Sequence, residues 1–160
     1  MKKAILTLLV ALIATAANAQ FEKGTKYVGA SFSNFGLSYS KKSKFSIGVN
    51  AEAGYCFADS WMLRANLGYT YQKNAANDFT AGAGVRYYIL QNGLFLGAGV
   101  EYKHQRPNFN DLLVPVEIGY TFYLNHYLAI EPSVYFKMST NDFGDGSTVG
   151  LRLGLGYYFK

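Results

Sequence analysis

Alternation of apolar and polar residues is the feature that most constrains how this chain can fold. Between Phe45 and Phe57 every second residue is apolar or aromatic, and the residues between them are small or polar. A period of two places side chains on one face of a β-strand. Seven further segments behave alike, so the pattern predicts eight strands: 26–37, 45–57, 61–71, 79–89, 94–104, 112–123, 127–137 and 148–159.

The lengths of these segments and of their connections favour a barrel that crosses a membrane. The segments span 11–13 residues, which is long enough for a tilted strand to cross a bilayer. The connections alternate between short turns, at 58–60, 90–93 and 124–126, and longer loops, at 38–44, 72–78, 105–111 and 138–147. An even strand number with short turns on one side is typical of outer-membrane barrels, whose termini lie on the periplasmic side.

The polar face decides between a membrane barrel and a soluble one. It carries at least twelve glycines around seven charged residues: Glu52, Arg64, Arg86, Glu101, Glu117, Glu131 and Arg152. So much glycine would weaken a water-exposed sheet. Inside a narrow barrel it leaves room for large neighbours, and opposite charges can pair. We therefore predict an all-β fold, an eight-stranded antiparallel up-and-down transmembrane β-barrel whose apolar face meets lipid.

The first nineteen residues are predicted to be a cleaved signal peptide. Lys2 and Lys3 precede an apolar run, and Ala17-Asn18-Ala19 has the small-x-small pattern that a signal peptidase cuts before Gln20. The barrel domain would then cover 20–160, with the bacterial outer membrane as its location. The net charge of +5 includes those two lysines, and the remainder is too small to indicate nucleic-acid binding.

A short sequence repeat occurs at the end of every second predicted strand. Glycine, an apolar or aromatic residue, any residue and then an aromatic occur at 54–57, 84–87, 119–122 and 156–159. Aromatic rings favour the membrane–water interface. The repeat predicts a periplasmic aromatic belt, made by Tyr55, Phe57, Trp61, Tyr87, Tyr120, Phe122, Tyr157 and Phe159.

Two stretches of the sequence resemble parts of a known protein family. Residues 54–61 and the terminal 154–159 resemble the hairpin and the C-terminal assembly signal of outer membrane β-barrel domain proteins, which include the small OmpA/OmpX-type barrels and many barrels of Bacteroidetes-like bacteria. The resemblance implies insertion by the barrel-assembly machinery. One departure is Lys160, because the family usually ends on the aromatic residue itself.

Two prolines conflict with regular strands. Pro115 and Pro132 lie inside predicted strands six and seven, and each removes a ladder hydrogen bond. We expect a bulge or a local distortion at one or both positions.

The charged face permits two interpretations. Lys103 and Lys137 lie nearer the loop side. The seven charged residues of the polar face could form a plug of ion pairs that holds the barrel shut. They could also gate a narrow pore for ions or small solutes. The plug is favoured, because buried charges must pair and eight strands leave little lumen.

No catalytic, cofactor or metal site is predicted. Some eight-stranded barrels act on lipid A, but neither His104 nor His126 lies in a Ser-His-acid arrangement, so an enzyme is the third hypothesis. The polar loop at 141–146 lacks the EF-hand spacing, and Cys56 is expected to be a small lumen residue. Membrane lipid and lipopolysaccharide are the expected partners of a monomer. Lys41, Lys42 and Lys44 could hold lipopolysaccharide phosphates, although an ordinary solvated loop is the favoured interpretation.

Overall fold

The computed structural model describes residues 21–33, 46–72, 78–89, 92–105, 109–141 and 147–160. The predicted leader, with Ala17, Ala19 and Gln20, lies outside these residues, as do the three lysines of the first long loop and residues 142–146. Within the described ranges, no helix is long and apolar enough to cross a membrane.

The described chain is almost entirely β-structure. Its strands are β1 (Lys26–Ser33), β2 (Ser46–Ala58), β3 (Trp61–Gln72), β4 (Asp78–Tyr88), β5 (Leu94–Gln105), β6 (Phe109–Tyr120), β7 (Phe122–Tyr123), β8 (Leu128–Ser139) and β9 (Thr148–Phe159). The two-residue β7 continues β6 beyond Thr121, and both pair with β8. Every pairing is antiparallel, and β1 pairs with both β2 and β9. The ladder therefore closes into an eight-stranded barrel, which confirms the predicted fold.

The pleat turns apolar side chains outward along every strand. Along β9, Leu151, Leu153 and Leu155 are each 44–47% exposed, whereas Gly154 between them is buried. The same holds at mid-strand in β3, where Leu67 is 57% exposed. A water-soluble fold would bury these side chains. The exterior is instead suited to hydrocarbon, and the polar residues occupy the lumen.

The two prolines interrupt the ladder without shifting its register. Pro115 pairs with Lys137 of β8, while the pairing of β6 with β5 is absent between Val116 and Leu113. Pro132 pairs with Leu153 of β9, while the pairing of β8 with β6 and β7 is absent between Gly119 and Phe122. The expected distortion is thus a gap on one side of each proline.

The short-turn end holds the start of β1, the end of β9 and the tight connections. Ser60 adopts a positive φ of 67° in the β2–β3 turn, and Gly93 adopts 93° before β5. Next to the first of these turns, the β2–β3 register shifts between Cys56 and Ala58, the one shift among the described strand pairs. This end is the periplasmic end in the predicted orientation.

Leu67→Arg should destabilise the folded barrel by about 2–4 kcal/mol, because an arginine on the lipid face at mid-strand must enter hydrocarbon. Leu124→Arg is the matched control, since Leu124 is 58% exposed in the β7–β8 turn, and it should change stability by less than about 0.5 kcal/mol. Reversible urea unfolding in lipid vesicles measures both. Equal, small losses would show that the exposed leucines do not face lipid.

Candidate functional site in the barrel lumen

Four side chains form a closed cycle of ion pairs across the middle of the lumen. Glu52 Oε2 lies 3.0 Å from Arg64 Nη1, and Arg64 Nη2 lies 2.6 Å from Glu117 Oε1. Arg152 Nη1 completes the cycle, at 3.1 Å from Glu117 Oε2 and 3.3 Å from Glu52 Oε1. These residues come from β2, β3, β6 and β9, so the cycle joins the neighbouring strands β2 and β3 to two strands with which neither is paired.

Arg86 links this cycle to a third carboxylate, that of Glu131, towards the periplasmic end. Its Nη2 lies 3.3 Å from Glu117, and its Nη1 lies 2.9 Å from Glu131 Oε2. The guanidinium also lies 3.9 Å from the centroid of the Phe95 ring. A charge with 3% of its side chain exposed is tolerated only when it is paired in this way.

Tyrosine and threonine hydroxyls donate hydrogen bonds to the Glu131 carboxylate. Glu131 accepts hydrogen bonds from Tyr27 at 3.0 Å, from Tyr158, and from Thr121 at 3.4 Å. The Tyr158 hydroxyl lies 2.9 Å from that of Tyr88. The sequence analysis did not include these tyrosines in the network. Their positions in the alternating pattern place them on the inner face, and this signal could have identified them.

Glu101 lies apart from the other six predicted lumen charges. It pairs with Lys137 at 2.8 Å, towards the loop side. A further pair, Lys103 with Asp78 at 3.0 Å, lies at the same end. The structure therefore brings six of the seven predicted residues into one connected network and places Glu101 in a separate pair.

Glycines provide the space in which these large side chains lie. A Cβ atom on Gly97 would come within 2.6 Å of Glu117 Cγ and 3.1 Å of Arg64 Nη2. Similarly, a Cβ atom on Gly150 would meet the Tyr135 ring, with Cζ at 2.6 Å. The glycine-rich inner face is thus the complement of the arginine, glutamate and tyrosine side chains.

The remaining space in the centre of the lumen is small. A cavity of about 30 Å³ lies between the ion-pair cycle, Glu101 and Tyr135. The Nε atoms of Arg64 and Arg152 are buried without a protein partner. A polar cavity of this size holds one or two waters, and it is too small for a solute.

An aromatic cluster closes the periplasmic end. It comprises side chains that are at most 3% exposed: Phe21, Tyr27, Cys56, Met62, Tyr88, Phe95, Ala129 and Tyr158. Cys56 is buried and free within it, as an inward-facing residue. The lumen thus has an ionic layer in its middle and an aromatic layer below.

The predicted belt residues lie around the outside of the same end. Trp61 packs against Tyr87 with ring centroids 4.8 Å apart, and Tyr120 packs against Phe122 at 4.4 Å. Tyr55, Phe57 and Tyr157 are 46–48% exposed. Phe159 packs against Tyr157, and Tyr127, which was not predicted, joins Tyr157 at 5.9 Å.

The two histidines lie outside the network. His104 Nδ1 lies 2.7 Å from Asn110 Oδ1 at the loop side, and His126 is exposed in a periplasmic turn. In the part of the chain that the structure describes, no group of three His, Cys, Asp or Glu residues could hold a metal ion.

Comparison with known proteins supports the architecture. The N-terminal β-barrel domain of Pseudomonas aeruginosa OprF superposes with a TM-score of 0.66 at 13% identity, covering 86% of this chain and 98% of that one. Neisserial surface protein A gives 0.62 at 12% identity, with 84% and 96% coverage. Ail of Yersinia pestis, in complex with the heparin analogue sucrose octasulfate, gives 0.57 at 16%, with 86% and 99% coverage.

Identities this low establish the fold alone. No curated protein sequence matches the chain significantly. The outer membrane protein beta-barrel domain, however, matches residues 4–160. The closed barrel, its lipid-suited exterior and this match agree, and the chain belongs to the outer membrane protein β-barrel domain family, whose members reside in the bacterial outer membrane.

Proposed function

We propose that this protein is a closed, non-conducting barrel that serves a structural or surface-interaction role in the outer membrane. The observation that carries the proposal is the cycle of Glu52, Arg64, Glu117 and Arg152 across the lumen. Each carboxylate in it contacts both arginines, so no single side-chain rotation opens a path. The water-sized central cavity agrees with a closed lumen.

The strength of the buried pairs supports permanent closure. Removing one partner of a buried pair costs about 3–5 kcal/mol, because it leaves an uncompensated charge in a region of low dielectric. Opening a path would separate several such pairs at once. A conformer that lies even about 5.5 kcal/mol above the ground state is populated at roughly one part in 10⁴.

The alternative function is a narrow pore. It would require the same ion pairs to exchange partners, and Arg86, which reaches Glu117 at 3.3 Å and Glu52 at 3.8 Å, offers such an exchange. Refolded wild-type protein in planar bilayers distinguishes the two. We expect no discrete conductance, and reproducible single-channel openings from pure protein would overturn the closed-barrel proposal.

Glu117→Gln should lower the free energy of unfolding by about 3–5 kcal/mol, since Arg64, Arg86 and Arg152 would lose the carboxylate that they share. Glu22→Gln is the matched control. Glu22 pairs with Lys160 at 2.5 Å, but both side chains are exposed, so the loss should be about 0–1 kcal/mol.

Urea unfolding in vesicles measures both substitutions. Losses of equal size would show that the lumen pairs contribute no more than a surface pair, and would contradict the idea of an ionic plug.

We further propose that the protein is not an enzyme and acts as a monomer. Its expected partners are the barrel-assembly machinery during insertion, then membrane lipid and lipopolysaccharide, whose phosphates suit the basic residues Lys41, Lys42 and Lys44. Mass spectrometry of lipid A from cells with and without the protein should give identical profiles. A new or missing lipid A species would favour the lipid-modifying enzyme instead.

A further inference from the structure

The segment before β1 folds back into the periplasmic mouth of the barrel. Gly24 has a positive φ of 94°, which turns the chain. Backbone hydrogen bonds then attach the segment to β2 and its turn: Gly24 N donates to Cys56 O at 2.8 Å, and Ser60 N donates to Phe21 O at 2.8 Å. Lys23 N also donates to Asp59 Oδ1 at 2.9 Å. Four residues are thereby held in one conformation without being part of the barrel wall.

These contacts place the Phe21 ring inside the aromatic cluster. The ring is stacked on Tyr88, with centroids 3.6 Å apart and planes 10° from parallel. It meets Tyr158 edge-on at 5.7 Å and Tyr123 at 5.8 Å. Phe21 is only 1% exposed, although nothing in its position before the first strand requires a buried side chain.

The surroundings of Phe21 have the character of a binding pocket for an aromatic ring. Rings from three different strands surround it, and the contact with Tyr158 has the edge-to-face geometry that aromatic pairs prefer. The pocket lies over the hydroxyls of Tyr88 and Tyr158, and these lead to Glu131 and Arg86. A ring in the pocket therefore separates the ion-pair network from periplasmic water.

We propose that Phe21 is a tethered stopper, whose ring occupies an aromatic-binding pocket at the periplasmic mouth and seals the lumen from that side. The proposal rests on the proposed closed barrel and adds a second barrier, placed in series with the ionic layer. It assigns residues 21–24 a role as an intramolecular ligand. The pocket would take a free aromatic molecule of phenyl size when Phe21 is absent.

The single cysteine is a natural reporter for this seal. Cys56 belongs to the same buried cluster, is 0% exposed, and makes backbone hydrogen bonds with the stopper segment. A small methanethiosulfonate reagent, added to full-length protein refolded in detergent micelles, should modify wild-type Cys56 slowly. Phe21→Ala should raise the modification rate at least about tenfold, because the thiol reacts through local opening of the mouth.

Two further variants make the test specific. Phe57→Ala is the matched control, because Phe57 adjoins Cys56 but is 46% exposed on the outer face, and it should leave the rate unchanged. Gly24→Ala strains the turn without a steric contact, as nothing lies within 4 Å of the added Cβ. It should raise the rate by a smaller factor, and it keeps the test available if Phe21→Ala fails to fold.

A free aromatic ligand tests the pocket itself. Benzene fills apolar cavities left by truncated core side chains, so benzene-saturated buffer should slow Cys56 modification in Phe21→Ala towards the wild-type rate. Four outcomes would each overturn the stopper. Cys56 could react fast in the wild type, or at the same rate in Phe21→Ala and the wild type. Phe57→Ala could accelerate the reaction as much as Phe21→Ala does, or benzene could have no effect. Conductance of the wild type would instead refute the closed barrel, so the two failures are distinguishable.

Discussion

Closure of the backbone ladder is the constraint on which the rest of this structure depends. Unpaired N–H and C=O groups cannot be left in hydrocarbon, so a β-sheet in a membrane must have no edge. The seam between β1 and β9 satisfies this requirement, with Lys26 opposite Phe159 and Ser33 opposite Arg152. Because side chains alternate between faces, that register also decides which residues meet lipid. A slip by one residue would turn Arg152 outward and Leu151 and Leu153 into the lumen.

The lumen network and the register therefore reinforce each other. An arginine moved to the lipid face near mid-bilayer costs about 2–4 kcal/mol, so each inward charge opposes a slipped pairing. Within the lumen the same charges are neutralised by partners on strands that are not hydrogen-bonded neighbours, as Arg152 of β9 is by Glu117 of β6. Buried ion pairs are weak evidence for stability as such. In this barrel their clearer consequence is that they specify the strand register, because only one stagger of the strands brings the Glu52–Arg64–Glu117–Arg152 cycle together.

The strands and the inward orientation of the charged residues could be predicted from the sequence, because both follow from the alternation of apolar and polar residues along each segment. The partner of each charge could not. Glu101 shares the inner face with Glu117, but strand stagger places it beside Lys137 and away from the arginine cycle. The strand pattern turns the tyrosines around Glu131 inward, but it does not say which carboxylate they contact, and for that reason they were missed. Phe21 was missed because it lies outside the alternating segments, where periodicity carries no information, and only the turn at Gly24 directs it inward.

These constraints restrict which residues can be substituted, and they do so more strongly in the barrel wall than in the connections. Outward positions must remain apolar. Inward positions must match their neighbours in charge, as Arg64 matches Glu117, and in volume, as Gly97 leaves room for the Glu117 side chain. Neither face can acquire a new recognition site without losing membrane compatibility or a buried partner. Connections outside the hydrocarbon region are under no such restriction, because water can solvate the backbone and side chains there. We therefore expect that differences in binding between barrels of this architecture arise in those connections, while the wall and lumen keep them folded.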